Sequence, residues 1–514
     1  MKKNLLYILS LLLIAVMIMP GCTKLDSKVY NQVTPDNFFK TPAQVNAFLA
    51  QAYTPMTNIP FGASFNLNEV SSDELVVPTR GNDWYDGGKW QNLWKHTFNY
   101  DMDDINNAWN DLSSGIGKCN FVLSSVATIP AANKPANIDQ IIAEIKVLRA
   151  FYYMKFMDLY GSVPLVTDYN TDPSKLGSTP RKDIYTFLES DLTANVPLLA
   201  DKSAANYGHM TKWGGYMVLA HLYLNAQVYT GTAQWQKAAD AADMVIKSGV
   251  YSLQPNFFDN FAVENSGSVE NIFVVPFDYI QIGGNGFQMN TLNYNNIYTY
   301  NLTSQPYNGF SSPEAFYRTF TAADKRTAMW AVGQQYSSAG APLTDVATHL
   351  QVILSPYINE LSNPADSFKF AGARSIKYHP QAGTAGQMSN DGVVYRLAEA
   401  YLVKAEAEIR AGTPGDALTL VNDLRARAGV PAWSASDLTL PNLLAERGRE
   451  MAWEGYRRTD LIRFEVADGI PYYSAARKPG KSVDATTDAR LFPVPQAQLI
   501  SNPKLTQNPG YPSK

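Results

Sequence analysis

The sequence predicts a mainly α-helical protein, in which paired helices form a scaffold for large irregular loop insertions. Three observations lead there. Apolar residues recur at three- and four-residue steps over several segments that have recognisable helix ends. Consecutive helical segments are joined by short turns, as antiparallel helix hairpins require. Two long stretches, residues 58–100 and 255–380, are rich in Asn, Gly, Ser, Tyr and Pro and keep no sustained period. Long irregular stretches inside a compact chain are uncommon and often carry function.

Taken in order, residues 109–126 form an apolar-periodic stretch containing Cys119, which reads as a buried small hydrophobe. Residues 139–160 set Ile141, Ile145, Leu148, Tyr152, Phe156 and Leu159 at helical steps, and Gly161 and Pro164 end the run. Thr179 and Pro180 supply a cap and a proline for the first helical position, ahead of Ile184, Phe187, Leu188 and Leu192. Thr211 opens a helix through Leu219, Leu222 and Ala226 to Tyr229, with a stop at Gly231. Residues 235–247 then place Ala239, Ala242 and Ile246 on one face. These last two helices make one hairpin of about 34 residues, the size of a tetratricopeptide-like unit. Residues 391–411 and 415–428 make a second, joined by Gly412, Thr413 and Pro414, and both carry alanines where two helices would touch. The scaffold helices are expected over about residues 105–250 and 391–465, with ligand-binding insertions over about 58–100 and 255–380. One domain over 22–514 follows a leader over 1–21.

The chain has 514 residues, of which 46% are hydrophobic, 12% aromatic and only 17% charged. That apolar content excludes a disordered chain. With 42 Lys+Arg against 46 Asp+Glu, the formal charge is −4, so the basic footprint of a general nucleic-acid binder is missing. Few charges and many aromatic faces suit neutral, hydroxyl-rich ligands, and suit a large core equally. Lys2 and Lys3 precede an apolar run over residues 5–19 and then Pro20, Gly21 and Cys22. This is a secretory leader, too short to span a bilayer. A cysteine directly behind it resembles the lipobox of bacterial lipoproteins, although Met19 and Pro20 depart from the usual residues. Acyl chains on Cys22 would hold the protein on a membrane.

Catalytic templates fit poorly. The five histidines include no close pair with zinc-ligand spacing, and there is no CxxC or GxSxG. No cofactor or metal is expected. Asp101, Asp103 and Asp104 could bind calcium but lack the glycine and distal glutamate of an EF-hand loop, and helix capping explains them as well. Glu446, Glu450 and Glu454, at four-residue spacing, are the most enzyme-like group, since glycoside hydrolysis uses paired carboxylates. They are interleaved with Arg447, Arg449, Arg457, Arg458 and Arg463, the pattern of a structural ion network.

Around those residues, Leu443, Leu444, Glu446, Arg447, Arg449, Glu450, Glu454, Gly455, Arg457, Arg458, Asp460 and Leu461 resemble a signature of the SusD/RagB family. The runs 148–152, 160–165, 395–402, 421–429, 492–495 and 507–511 agree with it in order. The resemblance implies an outer-membrane lipoprotein on the outer face of the cell, with a helical fold built on tetratricopeptide-like pairs. It implies a lid on a SusC-like TonB-dependent barrel, to which bound nutrient, usually oligo- or polysaccharide, is passed. It implies no enzymatic activity. Some members take peptides or other nutrients.

The candidate ligand contacts are Asp73, Arg80, Asp83, Trp84, Tyr85 and Trp90 in the first insertion. Flat aromatic faces pack on the C–H surface of a sugar ring, while charged and amide groups bond its hydroxyl rim. Trp90 and Trp94, four apart, would equally bury one face of a short helix. Tyr294 and Tyr298 belong to a second candidate run, 290–307, rich in Tyr and Asn. Alternation at Tyr298 and Tyr300 reads equally as a surface strand.

Overall fold

A computed structural model describes residues 41–281, 283–413, 415–475 and 482–513. The leader and Cys22 lie outside the described residues. The chain is mainly helical, with strand confined to two-stranded ladders. The helices used below are α1 (Pro42–Tyr53), α2 (Ala63–Val70), α3 (Lys89–Lys95), α4 (Asp103–Ala127), α5 (Ile138–Tyr160), α6 (Arg181–Asn195), α7 (Lys212–Leu224), α8 (Trp235–Ile246), α9 (Leu397–Ala411), α10 (Ala417–Ala428), α11 (Leu440–Met451) and α12 (Arg457–Asp468). Among the described residues no helix is long and apolar enough to cross a membrane.

Helices α4 and α5 pack closely because Gly115 leaves room for the Tyr152 ring; a Cβ there would sit 2.6 Å from it. Tyr152 then donates its hydroxyl to the Ala52 carbonyl (3.0 Å), which fastens α1 to the pair. The two anticipated hairpins stack into one layer, with α8 lying between α7 and α9. Small residues Ala238, Ala239, Ala241 and Ala242 permit that approach, and Lys404 bridges it to Asp243 at 2.7 Å. Cys119 is fully buried, and burial pushes its thiol pKa up.

Several boundaries differ from the sequence reading. The stretch 391–411 begins as strand: β2 (Gly392–Arg396) pairs antiparallel with β1 (Asn271–Val275), Phe273 opposite Tyr395, and α9 starts at Leu397. Both strands are wholly buried, so no alternation marked them. Helix 211–229 breaks at Asn225, whose Nδ2 donates to the His221 carbonyl (2.9 Å) and whose Oδ1 accepts from Arg463 (3.2 Å). Thr179 pairs with Val163 instead of capping, and Pro180 stands just before α6. Helix α4 reaches back to Asp103, placing Asp103 and Asp104 in its first turn, where carboxylates complement the helix dipole. Among the described residues no group of three or more His, Cys, Asp or Glu is gathered as a metal site.

The stretch 58–100 is partly helical. Helix α2 is buried nearly all round, which erases the amphipathic period. The second insertion is irregular, with short turns and ladders. Two-residue strands pair Thr79–Arg80 in parallel with Ser362–Asn363 and so join the two insertions. Beneath them Val76, Trp94, Ile358, Leu361 and Phe368 form a small core separate from the main one.

Candidate functional site

Arg80 and Asp83 exchange backbone N–H···O bonds (2.9 and 3.1 Å), closing a tight turn. The chain beyond it runs through left-handed conformations at Trp84 (φ 63°) and Asp86 (φ 43°). For residues with a Cβ this costs of order 1–3 kcal/mol each, and it persists only where the surroundings impose it. The imposing contacts come from the second insertion. Trp84 Nε1 donates to the Tyr307 carbonyl (2.6 Å), and its ring packs against Trp90 and Phe310 at centroid distances of 5.7 Å. Gly309 passes beneath the ring, where any Cβ would lie 2.3 Å from it. Trp90 Nε1 in turn donates to Asp86 (2.7 Å).

A second link joins the two stretches. The Tyr294 hydroxyl donates to Asp83 Oδ2. Burial and the Asp83 carboxylate push the Tyr294 pKa up, so the hydroxyl keeps its proton and remains a donor. Beside these links in sequence, Tyr85 and Tyr307 are 57% and 53% exposed, and Tyr298, one helical turn beyond Tyr294, is 54% exposed. Tyr298 sits on a helical turn, Asn296–Thr299, so the alternation with Tyr300 is not that of a strand. The two sequence candidates are therefore one surface: an aromatic platform with the carboxylates of Asp83 and Asp86 exposed beside it.

Other candidates are engaged within the fold. Arg80 is 1% exposed, and its guanidinium donates to Ser311 Oγ (2.8 Å) and to the carbonyls of Phe368 (2.6 Å) and Ala371 (2.8 Å). Trp90 and Trp94 are both buried on α3, as a helix-face role requires. Asp73 is held by Arg457 at 2.7 Å. Sequence reasoning missed Asn308, Gly309 and Phe310, which shape the floor. An Asn-Gly pair behind a Tyr-rich run was the available signal, marking a turn with close backbone approach.

Glu446, Glu450 and Glu454 do not share a helix face. Helix α11 ends at Met451, and Trp453 (φ 58°) turns the chain before Glu454. All three are bound to cations. Glu446 meets Arg326 (2.8 Å), Arg425 (2.6 Å) and Arg449 (2.7 Å), and Glu454 meets Lys377 (2.5 Å) and Arg396 (2.8 Å). Glu450 meets Arg326 (3.0 Å), Arg396 (2.6 Å) and Arg427. Burial opposes the Glu450 anion, but the charges of Arg427, Arg396 and Arg326 outweigh it and hold the carboxyl well below the usual range. The Glu450 carboxylate is thus held by three guanidiniums and wholly enclosed.

A cavity of about 470 Å³ lies away from the platform between α4, α5 and a C-terminal turn. Its amides bond one another and the chain: Gln498 donates to Asn110 (3.0 Å), and Asn502 to the Pro173 carbonyl (3.1 Å). The platform is instead open surface.

The family model described as SusD family matches residues 243–511, more than half of the chain. The chain belongs to the SusD family. A second model, described as starch-binding associating with outer membrane, matches residues 25–224. A SusD-family relative, the starch-binding protein SusD of Bacteroides thetaiotaomicron, is 27% identical over 414 residues, 72% of each chain. The fold is shared with a SusD superfamily protein of Parabacteroides distasonis (TM-score 0.76, 21% identity, 93% of this chain and 100% of that one). It is shared also with a laminarin-binding SusD-like protein (TM-score 0.73, 23% identity, 92% and 100%). The mainly α SusD-like fold follows. The buried Glu–Arg network of Glu446, Glu450 and Glu454 lies within the residues matched by that family model.

Proposed function

We propose that this protein binds oligo- or polysaccharide at the platform of Asp83, Trp84, Tyr85, Tyr294, Tyr298 and Tyr307, and does not cut it. The observation that carries the reading is the convergence of two distant stretches into one exposed aromatic surface, held in strained backbone by the Trp84–Tyr307 and Tyr294–Asp83 bonds. A starch-binding and a laminarin-binding protein among its relatives support the ligand class. The lipobox-like Cys22 and the outer-membrane description of the matched model support a lipid-anchored protein on the outer membrane. There it would hand its ligand to a SusC-like TonB-dependent barrel. Each sugar ring makes few contacts, so tight capture comes from several rings of a polymer.

The test is retardation of the protein in native gels cast with a panel of polysaccharides, beside Trp84→Ala and Tyr307→Ala. Retardation by a polymer, lost in Trp84→Ala, supports the reading. Retardation unchanged in both variants moves the site elsewhere, and no retardation by any polymer removes the glycan assignment. A surface glycoside hydrolase, the alternative from the sequence, would release product and lose that activity in Glu446→Gln and Glu450→Gln. The enclosure of both carboxylates argues against it.

A further inference from the structure

The charges around the platform are unevenly placed. Two carboxylates stand exposed at its edge, each with one oxygen already engaged: Asp83 Oδ2 by the Tyr294 hydroxyl and Asp86 Oδ2 by Trp90 Nε1. A carboxylate only accepts hydrogen bonds, so what remains open can be met only by a donor. Among the described residues, the cations Arg374, Arg80, Lys89 and Lys369 near these loops each have a partner. The Arg374 guanidinium is buried, donating to Asn308 Oδ1 (2.9 Å), Ser311 Oγ (2.6 Å) and the Ala371 carbonyl (2.7 Å). Arg80 is buried beside it on the same serine and carbonyl. Lys89 lies over the Trp90 ring and pairs with Asp104 at 2.9 Å. Lys369, whose carbonyl accepts from Asn308, pairs with Asp366 at 3.2 Å. The two guanidiniums thus lie behind the loops, the two lysines are paired with carboxylates, and the Asp83 and Asp86 carboxylates stand exposed where a ligand would arrive.

Resting on the glycan reading above, we infer that the site selects uncharged glycans and excludes those bearing uronate or sulfate groups. Sugar hydroxyls donate to Asp83 and Asp86 while the rings pack on Trp84 and the tyrosines. A uronate or sulfate has no proton to donate there, and brings a like charge to within contact distance of two carboxylates.

Native gels containing laminarin, soluble starch, xyloglucan or galactomannan would be compared with gels containing alginate or polygalacturonate. The neutral polymer that retards most would then be compared with its own carboxymethylated derivative. The expected result is retardation by a neutral polymer, with the derivative bound about tenfold more weakly or worse. That gap should narrow in 0.5 M NaCl, where the Debye length falls to about 4 Å. It should narrow too in the Asp83→Asn/Asp86→Asn double variant, whose amide oxygens can still accept from Tyr294 and Trp90. Equal or stronger retardation by an acidic polymer, sensitive to Trp84→Ala, overturns the inference and leaves the glycan reading standing. A gap unchanged in the double variant also overturns it. No retardation by any polymer overturns both.

Discussion

Replacing Gly309 with alanine would put a methyl carbon 2.3 Å from Cε2 and Cζ2 of Trp84, well inside van der Waals contact. Gly309 does not use a left-handed φ, so its own backbone accepts the change, and the perturbation is purely the clash beneath the indole. Overpacking of this kind costs about 1–3 kcal/mol where the neighbours cannot yield. Here the neighbour can yield. Trp84 is partly exposed, and by swinging out it loses the bond to the Tyr307 carbonyl, worth about 1 kcal/mol net, and its packing on Trp90 and Phe310, worth about 0.5–1.5 kcal/mol each, while relief of its left-handed backbone returns about 1–3 kcal/mol. The net destabilisation is about 1 kcal/mol. For a chain of this length, with unfolding entropy near 2.1 cal/mol/K per residue, Tm falls by only about 1 °C. Ligand affinity should suffer more. Losing one aromatic face, worth about 0.5–1.5 kcal/mol, weakens each site about two- to twelvefold. Calorimetry, tryptophan fluorescence and native affinity gels would be run on the same Gly309→Ala preparation. Unchanged fluorescence together with wild-type retardation by a polymer that Trp84→Ala no longer binds would refute the coupling of the two loops.

Glu450→Gln leaves Arg326, Arg396 and Arg427 facing a neutral amide in a buried network, and the fold should lose about 3–5 kcal/mol in urea unfolding; a variant as stable as wild type would contradict the structural role. Glu69 is buried, its Oε1 accepting from the backbone N–H groups of Gly455 (2.7 Å) and Tyr456 (3.1 Å), and burial lifts its pKa from 4.5 to about 8. Between those values the folded state holds a proton that the unfolded chain has released, so this carboxyl makes stability fall as pH rises from about 4.5 to about 8. Glu69→Gln keeps the acceptor and cannot ionise. Its stability relative to wild type should therefore climb from pH 4.5 to pH 8, and a pH-independent difference in urea midpoints would refute the assignment.

Much of the scaffold was legible because its signal is local. The period over 139–160, the stops at Gly161 and Gly231 and the alanines of α8 are set within a few turns of chain. The Glu–Arg pattern was readable as a structural network, though its helix face was not. Glu454 leaves α11 because Trp453 turns left-handed, and that turn is stabilised by Glu74, almost 400 residues away in sequence, whose carboxylate accepts from the Trp453 backbone N–H (3.1 Å). Buried strand 392–396 and helix α2 escaped the periodic reading because elements buried on all sides have no polar face to set a period.

By itself the sequence determined most of the scaffold helices and their pairing into hairpins, and marked the two irregular stretches rich in ligand-type residues. The tertiary structure alone decided that those insertions meet, and which of their side chains reach solvent. Trp84, Trp90 and Arg80 share one short stretch, yet the first borders the surface while the other two are buried. What separates them is the approach of residues 307–311 and 368–374, whose carbonyls take up the Arg80 donors and whose Gly309 makes room for the indole. Exposure depends on which distant chain packs alongside, and nothing within the stretch itself encodes that.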